Sequence, residues 1–270
     1  MSAMRFLSAL FGNRHGIRAV LSPFSVVLGP SNGRAARDPP EPLRVDVPES
    51  PALFGWTPAV AALQEALGRA PASGAALDVI LSGHFARHAV LALPAGLDSR
   101  DEEVAFARLQ LAETYGDAVE AWGVVLEDAP PGARRLVAAI DRDLLAALSD
   151  AAQATGLRLR SVRTHLVDGF NRHRAALRGD TGWFALTEQG RVDLLRWGGR
   201  GWSSVEGARV RDDVAGPLVR LLRRADEGNG AGDGRRETVH VASHTPVDLS
   251  ALPAAGFDIV RLATSGEVRA

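Results

Sequence analysis

The chain has 270 residues, 46% of them apolar, with a formal charge of −1 and a pI near 6.7. That length suits one large domain or two smaller ones with a buried core, and the balanced charge argues against a primary nucleic-acid binder, which normally shows a basic excess or stripe. Cysteine is absent and all 31 basic residues are arginine, which excludes disulfides, thiolate catalysis, P-loop lysines and Schiff bases.

No run reaches the roughly 20 apolar residues of a membrane span. Met4–Phe11 is apolar but short, lacks a cleavage site and precedes polar Asn13, Arg14 and His15. Residues 1–14 therefore read as an N-terminal extension and not as a signal peptide. Ile17–Ser22 and Phe24–Leu28 read as a hairpin around Pro23 or as one bent strand. Gly29–Pro42 reads as a loop, because its prolines and glycines prevent regular pairing. Leu43–Val47 is a short strand, and a helix runs from Thr57 as N-cap through Pro58 to Leu67 and Gly68, with Val60, Leu63 and Leu67 on one face.

Leu77–Ser82 and His88–Leu93 are branched apolar runs and read as strands. Ser99 and Glu102 have the spacing of a capping box, opening a helix that ends at Tyr115-Gly116. Trp122–Leu126 and Arg135–Ile140 are strands around the turn 128–132. Asp141 caps a helix with Leu144, Leu145, Leu148 and Ala152 at helical spacing, closed by Gly156. Leu157–Val162 alternates as a strand, and Leu166, Phe170 and Leu177 share a face of the next helix. After Gly182 come strands Trp183–Thr187, Arg191–Trp197 and Trp202–Val205, joined by tight glycine turns. A helix spans Arg209 to Arg224, with Pro217 kinking it or marking its true start. Residues 226–236 form a glycine-rich loop, followed by strand Thr238–Ala242, a short helix at Leu249–Ala254 and strand Phe257–Leu262.

This last part has the order β-β-β-α-β-α-β, that of a ribonuclease-H-like half-unit, and two such halves make an actin-like fold. The first part fits the same order less well: hairpin, strand, helix, strand, an inserted α/β piece, helix, strand, helix. The expected fold is mixed α/β: an extension at 1–14, a first ribonuclease-H-like half at 15–180 carrying an inserted α/β subdomain near 84–137, and a second half at 181–270.

Ala138–Asn171 compresses strand, helix, strand and helix into about 35 residues with almost no loop. It resembles the PilM-like actin-fold proteins of type IV pilus assembly and the cytoplasmic part of the type II secretion L protein. Val79-Ile80-Leu81-Ser82 with His84-Phe85, and Ala107 through Gly116, resemble the region just upstream in those relatives. The resemblance implies an assembly role at the inner face of the inner membrane. It also implies a pilus or secretion inner-membrane subunit as partner, membrane association through that partner, and leaves a homodimer open.

The actin-like ATPases place an acidic residue and glycines in the first hairpin turn, because backbone N–H groups approach phosphate there and a carboxylate holds Mg²⁺ through water. Here that turn is Leu21-Ser22-Pro23-Phe24-Ser25, without acid or glycine and with a proline that has no N–H. Thr187-Glu188-Gln189-Gly190 offers one glycine, and Ser243-His244-Thr245 stands where an adenosine-contacting Gly-Gly is expected. The expectation is an assembly scaffold with no cofactor. The alternative is a nucleotide-binding ATPase using ATP and Mg²⁺ at an atypical site.

Other motifs read as structure. Gly29-Pro30-Ser31-Asn32-Gly33 matches the nucleophile elbow of hydrolases, with Ser31 as nucleophile, but lacks the helix that must follow. His84 and His88 have helical zinc spacing, yet on a strand they stand roughly 13 Å apart, too far for one tetrahedral metal. Asp141 and Asp143 read as a cap. Gly228–Gly234 follows a helix, so no helix N-terminus is there to hold phosphate. Arg158, Arg160, Arg163, Arg172, Arg174 and Arg178 concentrate positive charge suited to an acidic segment or a solvated face. Trp183, Trp197 and Trp202 cluster in the three-stranded part and read as sheet core in preference to a ligand box. No catalytic, cofactor-binding or metal-binding residue is assigned.

Overall fold

A computed structural model describes residues 16–31, 42–48, 55–69, 74–129, 132–198, 201–211, 213–227, 236–243 and 247–263. They form two compact units. The first comprises the described residues up to Ala86 with Ala121–Gly123 and Ile140–His165, and the second Arg87–Glu120, Val124–Ala139 and the described residues from Leu166 onward. This division departs from the boundary at 180/181 expected from the sequence. The piece near 84–137, read as an insertion in the first half, falls mostly in the second unit. The physical reason is a shared cluster: Leu136 and Val90 pack with Phe184, Leu186 and Leu195.

The first unit is built on a sheet of order β3-β2-β1-β4-β8. β1 (Ile17–Leu21), β2 (Ser25–Pro30) and β3 (Leu43–Asp46) are antiparallel, while β4 (Ala76–Leu81) and β8 (Arg158–Thr164) run parallel to β1. β2 continues through Gly29 and Pro30, which the sequence assigned to a loop; Pro30 ends the strand, where its missing N–H matters least. Residues 32–41 of that loop, and the N-terminal apolar run, lie outside the described residues. Ile17, Ala19, Leu21, Leu77, Val79 and Leu81 alternate onto one face, covered by α1 (Thr57–Gly68) and α3 (Arg142–Ala154) through Leu63, Leu67, Leu144 and Leu148. The residue at the cap of α1 is Trp56, not Thr57, and it makes no side-chain cap bond. Pro58 sits in the first turn, where no intrahelical N–H is needed. Asp141 does cap α3, accepting from Asp143 N at 2.8 Å, and Gly156 takes φ 71° after it.

The second unit repeats the order as β11-β10-β9-β12-β13. β9 (Thr181–Glu188), β10 (Arg191–Gly198) and β11 (Gly201–Arg209) are antiparallel, and β12 (Thr238–Ser243) and β13 (Asp258–Leu262) are parallel to β9. Both sheets thus share one topology, the duplication expected from the sequence. One face of the second sheet (Trp183, Ala185, Val192, Leu194) packs with α5 (Ala215–Glu227) and α6 (Ala251–Ala254) through Leu218, Leu222 and Leu252. The other face carries Phe184, Leu186 and Leu195 under Leu166 of α4 (His165–His173) and Leu136 of β7 (Arg134–Asp141). Cover on both sides explains why Trp183–Leu186 is one continuous buried run. The helix expected from Arg209 starts only at Ala215, because pairing with β10 holds β11 to Arg209. Pro217 marks its first turn.

A third sheet, β5 (Ala86–Ala92), β7 (Arg134–Asp141) and β6 (Trp122–Leu126), has the order β5-β7-β6. It is accompanied by α2 (Arg100–Tyr115), which opens with the expected capping box: Glu102 N donates to Ser99 Oγ, and Ser99 N to the Glu102 carboxylate.

Candidate functional site

In the first unit, β1, β4 and β8 end level with one another, Leu21 opposite Leu81 and Leu81 opposite Thr164. Open α/β sheets hold ligands beyond these carboxyl ends. Here the end of β1 is closed by its own turn. Ser22 N donates to Ser25 O (3.0 Å), while Phe24 N (3.2 Å) and Ser25 N (3.0 Å) both donate to Ser22 Oγ. Pro23 has no N–H, so every backbone donor of Ser22–Ser25 is used inside the turn. The Phe24 ring stands edge-on to His84, with centroids 5.8 Å apart. Ser82 N donates to Leu21 O (2.8 Å), and Ser82, His84, Thr164 and His165 are all buried. The equivalent strand ends of the second unit are also tied down: Thr187 Oγ1 donates to Ser243 Oγ (2.6 Å), and Val210 N to Gly190 O (3.0 Å).

On the opposite face of the first sheet lies a charged network that the sequence reading missed. Asp78, 2% exposed in the middle of β4, accepts from Arg160 Nε (2.9 Å), Arg160 Nη2, Ser161 Oγ (2.7 Å) and Ser31 Oγ. A register shift brings consecutive residues Arg160 and Ser161 to the same carboxylate: Leu77 pairs with Leu159, but Asp78 with Ser161. The Arg160 hydrogen bonds, above all, hold the Asp78 carboxyl well below the usual carboxylate range against the opposing cost of burial. The signal for it was there: an aspartate inside Leu77-Asp78-Val79-Ile80-Leu81 must find a partner. In the second unit, Arg191 and Asp193 form a comparable pair on β10, with Nε at 3.0 Å from both carboxylate oxygens.

The second unit also contains an open cavity of about 390 Å³. Phe170, Leu177, Trp197 and Trp202 make its apolar wall, and Glu127, Asp128, Arg134, Asn171 and Arg174 its polar rim. Phe170 stacks edge-on against Trp202 (4.8 Å), Phe184 (5.7 Å) and Trp197 (6.1 Å). The Trp202 indole N–H donates to Glu127, and the Arg134 guanidinium to Ser203 O (2.6 Å). Such half-buried aromatic surface with a few polar groups is the ordinary make-up of a binding pocket of this size.

The residues singled out from the sequence are dispersed among these features. Ser31 serves the Asp78 network, while Asn32 and Gly33 lie outside the described residues. His84 sits in a buried turn and His88 on β5, and no group of three or more His, Asp or Glu suited to a metal occurs among the described residues. Asp141 and Asp143 form the cap. The arginine group divides: Arg160 pairs with Asp78, Arg172 with Asp168 (2.7 Å), and Arg174 reaches the cavity. The three tryptophans divide too. Trp183 is wholly buried among the residues under α5, with its indole N–H on Glu237, whereas Trp197 and Trp202 face each other across the β10–β11 hairpin. Residues 228–235, 244 and 245 lie outside the described residues.

Comparison with solved structures places this architecture. A Bacteroides thetaiotaomicron protein of actin-like ATPase fold superposes with TM-score 0.63 at 11% identity, over 92% of this chain and 91% of that one. The fold is actin-like. The PilM–PilN type IV pilus biogenesis complex matches with TM-score 0.64 at 14% identity, over 92% of this chain and 88% of that one. The cytoplasmic domain of EpsL, an inner-membrane component of the Vibrio cholerae type II secretion system, matches with TM-score 0.56 at 16% identity, over 94% and 88%. The sequence resemblance to the PilM-like and secretion L-protein folds therefore holds at the level of actin-like architecture. No family model matches the sequence, and no curated protein sequence does.

Proposed function

We propose that this chain is a non-catalytic assembly protein of a type IV pilus or type II-like secretion system, binding another assembly subunit at the cytoplasmic face of the inner membrane. The observation that carries the reading is the β1–β2 turn. On an actin-like fold this is where phosphate is expected, and here Ser22 Oγ consumes the N–H groups of Phe24 and Ser25 while Pro23 supplies none. Phosphate binding by backbone donors needs those groups free. Likeness to PilM–PilN and EpsL supports the choice of system. Membrane association runs through the partner: among the described residues no helix is long and apolar enough to cross a membrane.

The competing reading is a nucleotide-binding ATPase with an atypical site, favoured by likeness to a protein of actin-like ATPase fold. Titration with Mg²⁺-ATP, followed by thermal shift and calorimetry, separates the two. A site with a dissociation constant near 10 μM gives roughly 2.7 kcal/mol of stabilisation at 1 mM ligand. The scaffold reading expects a flat response at that concentration and recovery of a pilus or secretion subunit on co-purification from native membranes. Saturable stabilisation by nucleotide sinks it.

A further inference from the structure

We propose that the cavity of the second unit is a docking site for a short extended segment of a partner protein in which a large apolar side chain adjoins an aspartate or glutamate. This rests on the assembly reading only for the existence of a partner, and the site is argued from its own chemistry. Phe170, Leu177, Trp197 and Trp202 expose apolar surface along one side of about 390 Å³, enough to bury an apolar anchor. Aromatic residues clustered in this way are the usual anchors of recognition surfaces.

The unpartnered groups on the polar rim select the charge of the occupant. Glu127 accepts from the Trp202 indole, and Arg134 gives one of its N–H donors to the Ser203 carbonyl while keeping its charge exposed on the rim. Asp128 is fully exposed and lies 3.5 Å from Arg100. Asn171 and Arg174 remain: both line the cavity, and neither has a hydrogen-bond or ion-pair partner among the described residues. Their spacing of three residues at the end of α4 and in the 3₁₀ turn after it puts two donors on one wall. A carboxylate accepts from an amide and a guanidinium together, and charge-assisted bonds of this kind are the strong ones. On this wall a cationic segment finds only the neutral Asn171 amide oxygen as acceptor and faces the Arg174 charge.

The test uses the full chain and a random twelve-residue peptide display library, panned in parallel on the native protein and on Arg174→Glu. Selected peptides are then titrated by tryptophan fluorescence against Arg174→Gln and Arg174→Lys. The expected result is enrichment of apolar–acidic pairs on the native protein and its loss on Arg174→Glu. A selected peptide should bind Arg174→Gln about tenfold more weakly, an effect of the size expected for one charge-assisted hydrogen bond, with partial recovery in Arg174→Lys. Enrichment of basic sequences, enrichment indifferent to Arg174, or no enrichment overturns the proposal. So does self-association abolished by Arg174→Glu, which would make a second copy of this chain the occupant. Because the library contains no pilus or secretion component, a positive selection stands even where co-purification fails, and the converse also holds.

Discussion

Replacing Asp78 by asparagine keeps the volume of the side chain while removing its charge, so any loss of stability comes from the polar network and not from a cavity. The carboxylate is 3% exposed and accepts four hydrogen bonds, two of them from Arg160. In Asp78→Asn one acceptor oxygen becomes an N–H₂ group facing the donors of Arg160, Ser161 or Ser31. Breaking a buried ion pair by removing one partner costs about 3–5 kcal/mol. The Arg160 side chain keeps 43% exposure and recovers water, which places the expected loss near the lower end, about 3 kcal/mol at neutral pH. In thermal unfolding that corresponds to roughly 6–12 °C for a chain of this size class. Acid supplies an independent check. The folded Asp78 carboxyl titrates below its unfolded value, so the unfolded chain binds more protons as the pH falls through the ordinary carboxylate range. The advantage of the native protein is fully present above about pH 5 and shrinks by up to about 1.4 kcal/mol per pH unit below about pH 4. The assay is urea unfolding of both proteins between pH 7 and pH 2.5. A difference under about 1 kcal/mol at pH 7, or one that stays constant down to pH 2.5, refutes the reasoning.

Gly182→Ala places a Cβ 2.5 Å from Trp197 Cζ2 and 2.7 Å from Cη2. The rigid indole has to move, at a cost of about 1–3 kcal/mol, and calorimetry should show the loss together with a shifted tryptophan emission as the cavity wall is disturbed. Ser22→Ala leaves Phe24 N and Ser25 N without their acceptor and should lower stability by about 1–2 kcal/mol in chemical unfolding, while Pro23 still withholds a donor and Mg²⁺-ATP still fails to stabilise. Leu148→Ala, at a wholly buried position between helix and sheet, should cost about 2–5 kcal/mol by the same measurement.

Local signals were readable where the cause was local. The Ser99–Glu102 box, the Asp141 cap and the Gly156 terminus each depend on residues within a turn of one another, and each is found in place. Thr57 misled because a good capping residue next to Pro58 fits the N-terminal pattern, although the chain places Trp56 at the cap, with its indole N–H on Asp141 (3.2 Å). Val214, Leu218, Leu221 and Leu222 have helical spacing, but β10 captures the chain as far as Arg209 before α5 begins at Ala215. Asp78 and Arg160 are joined by strand pairing that no sequence window spans, so only the isolated aspartate in an apolar run hinted at the network. The grouping of tryptophans failed by parity: Trp197 pairs opposite Gly182, one residue from Trp183, which sends the two rings to opposite faces.

The interleaving of the two units bears on how the chain must be made. Residues 87–139 leave the ribosome long before Phe184, Leu195 and Trp202, the residues whose cluster takes in Val90 and Leu136. Meanwhile β1 and β4 wait for β8 before their sheet is complete. During synthesis the nascent chain therefore presents apolar strands whose covers have not yet been translated, the situation in which chaperones bind. The same connectivity denies the molecule a severable half. A chain cut at residue 86 lacks β8, and one cut at residue 165 leaves Leu136 and Val90 without the residues they pack against, so neither cut releases a complete unit.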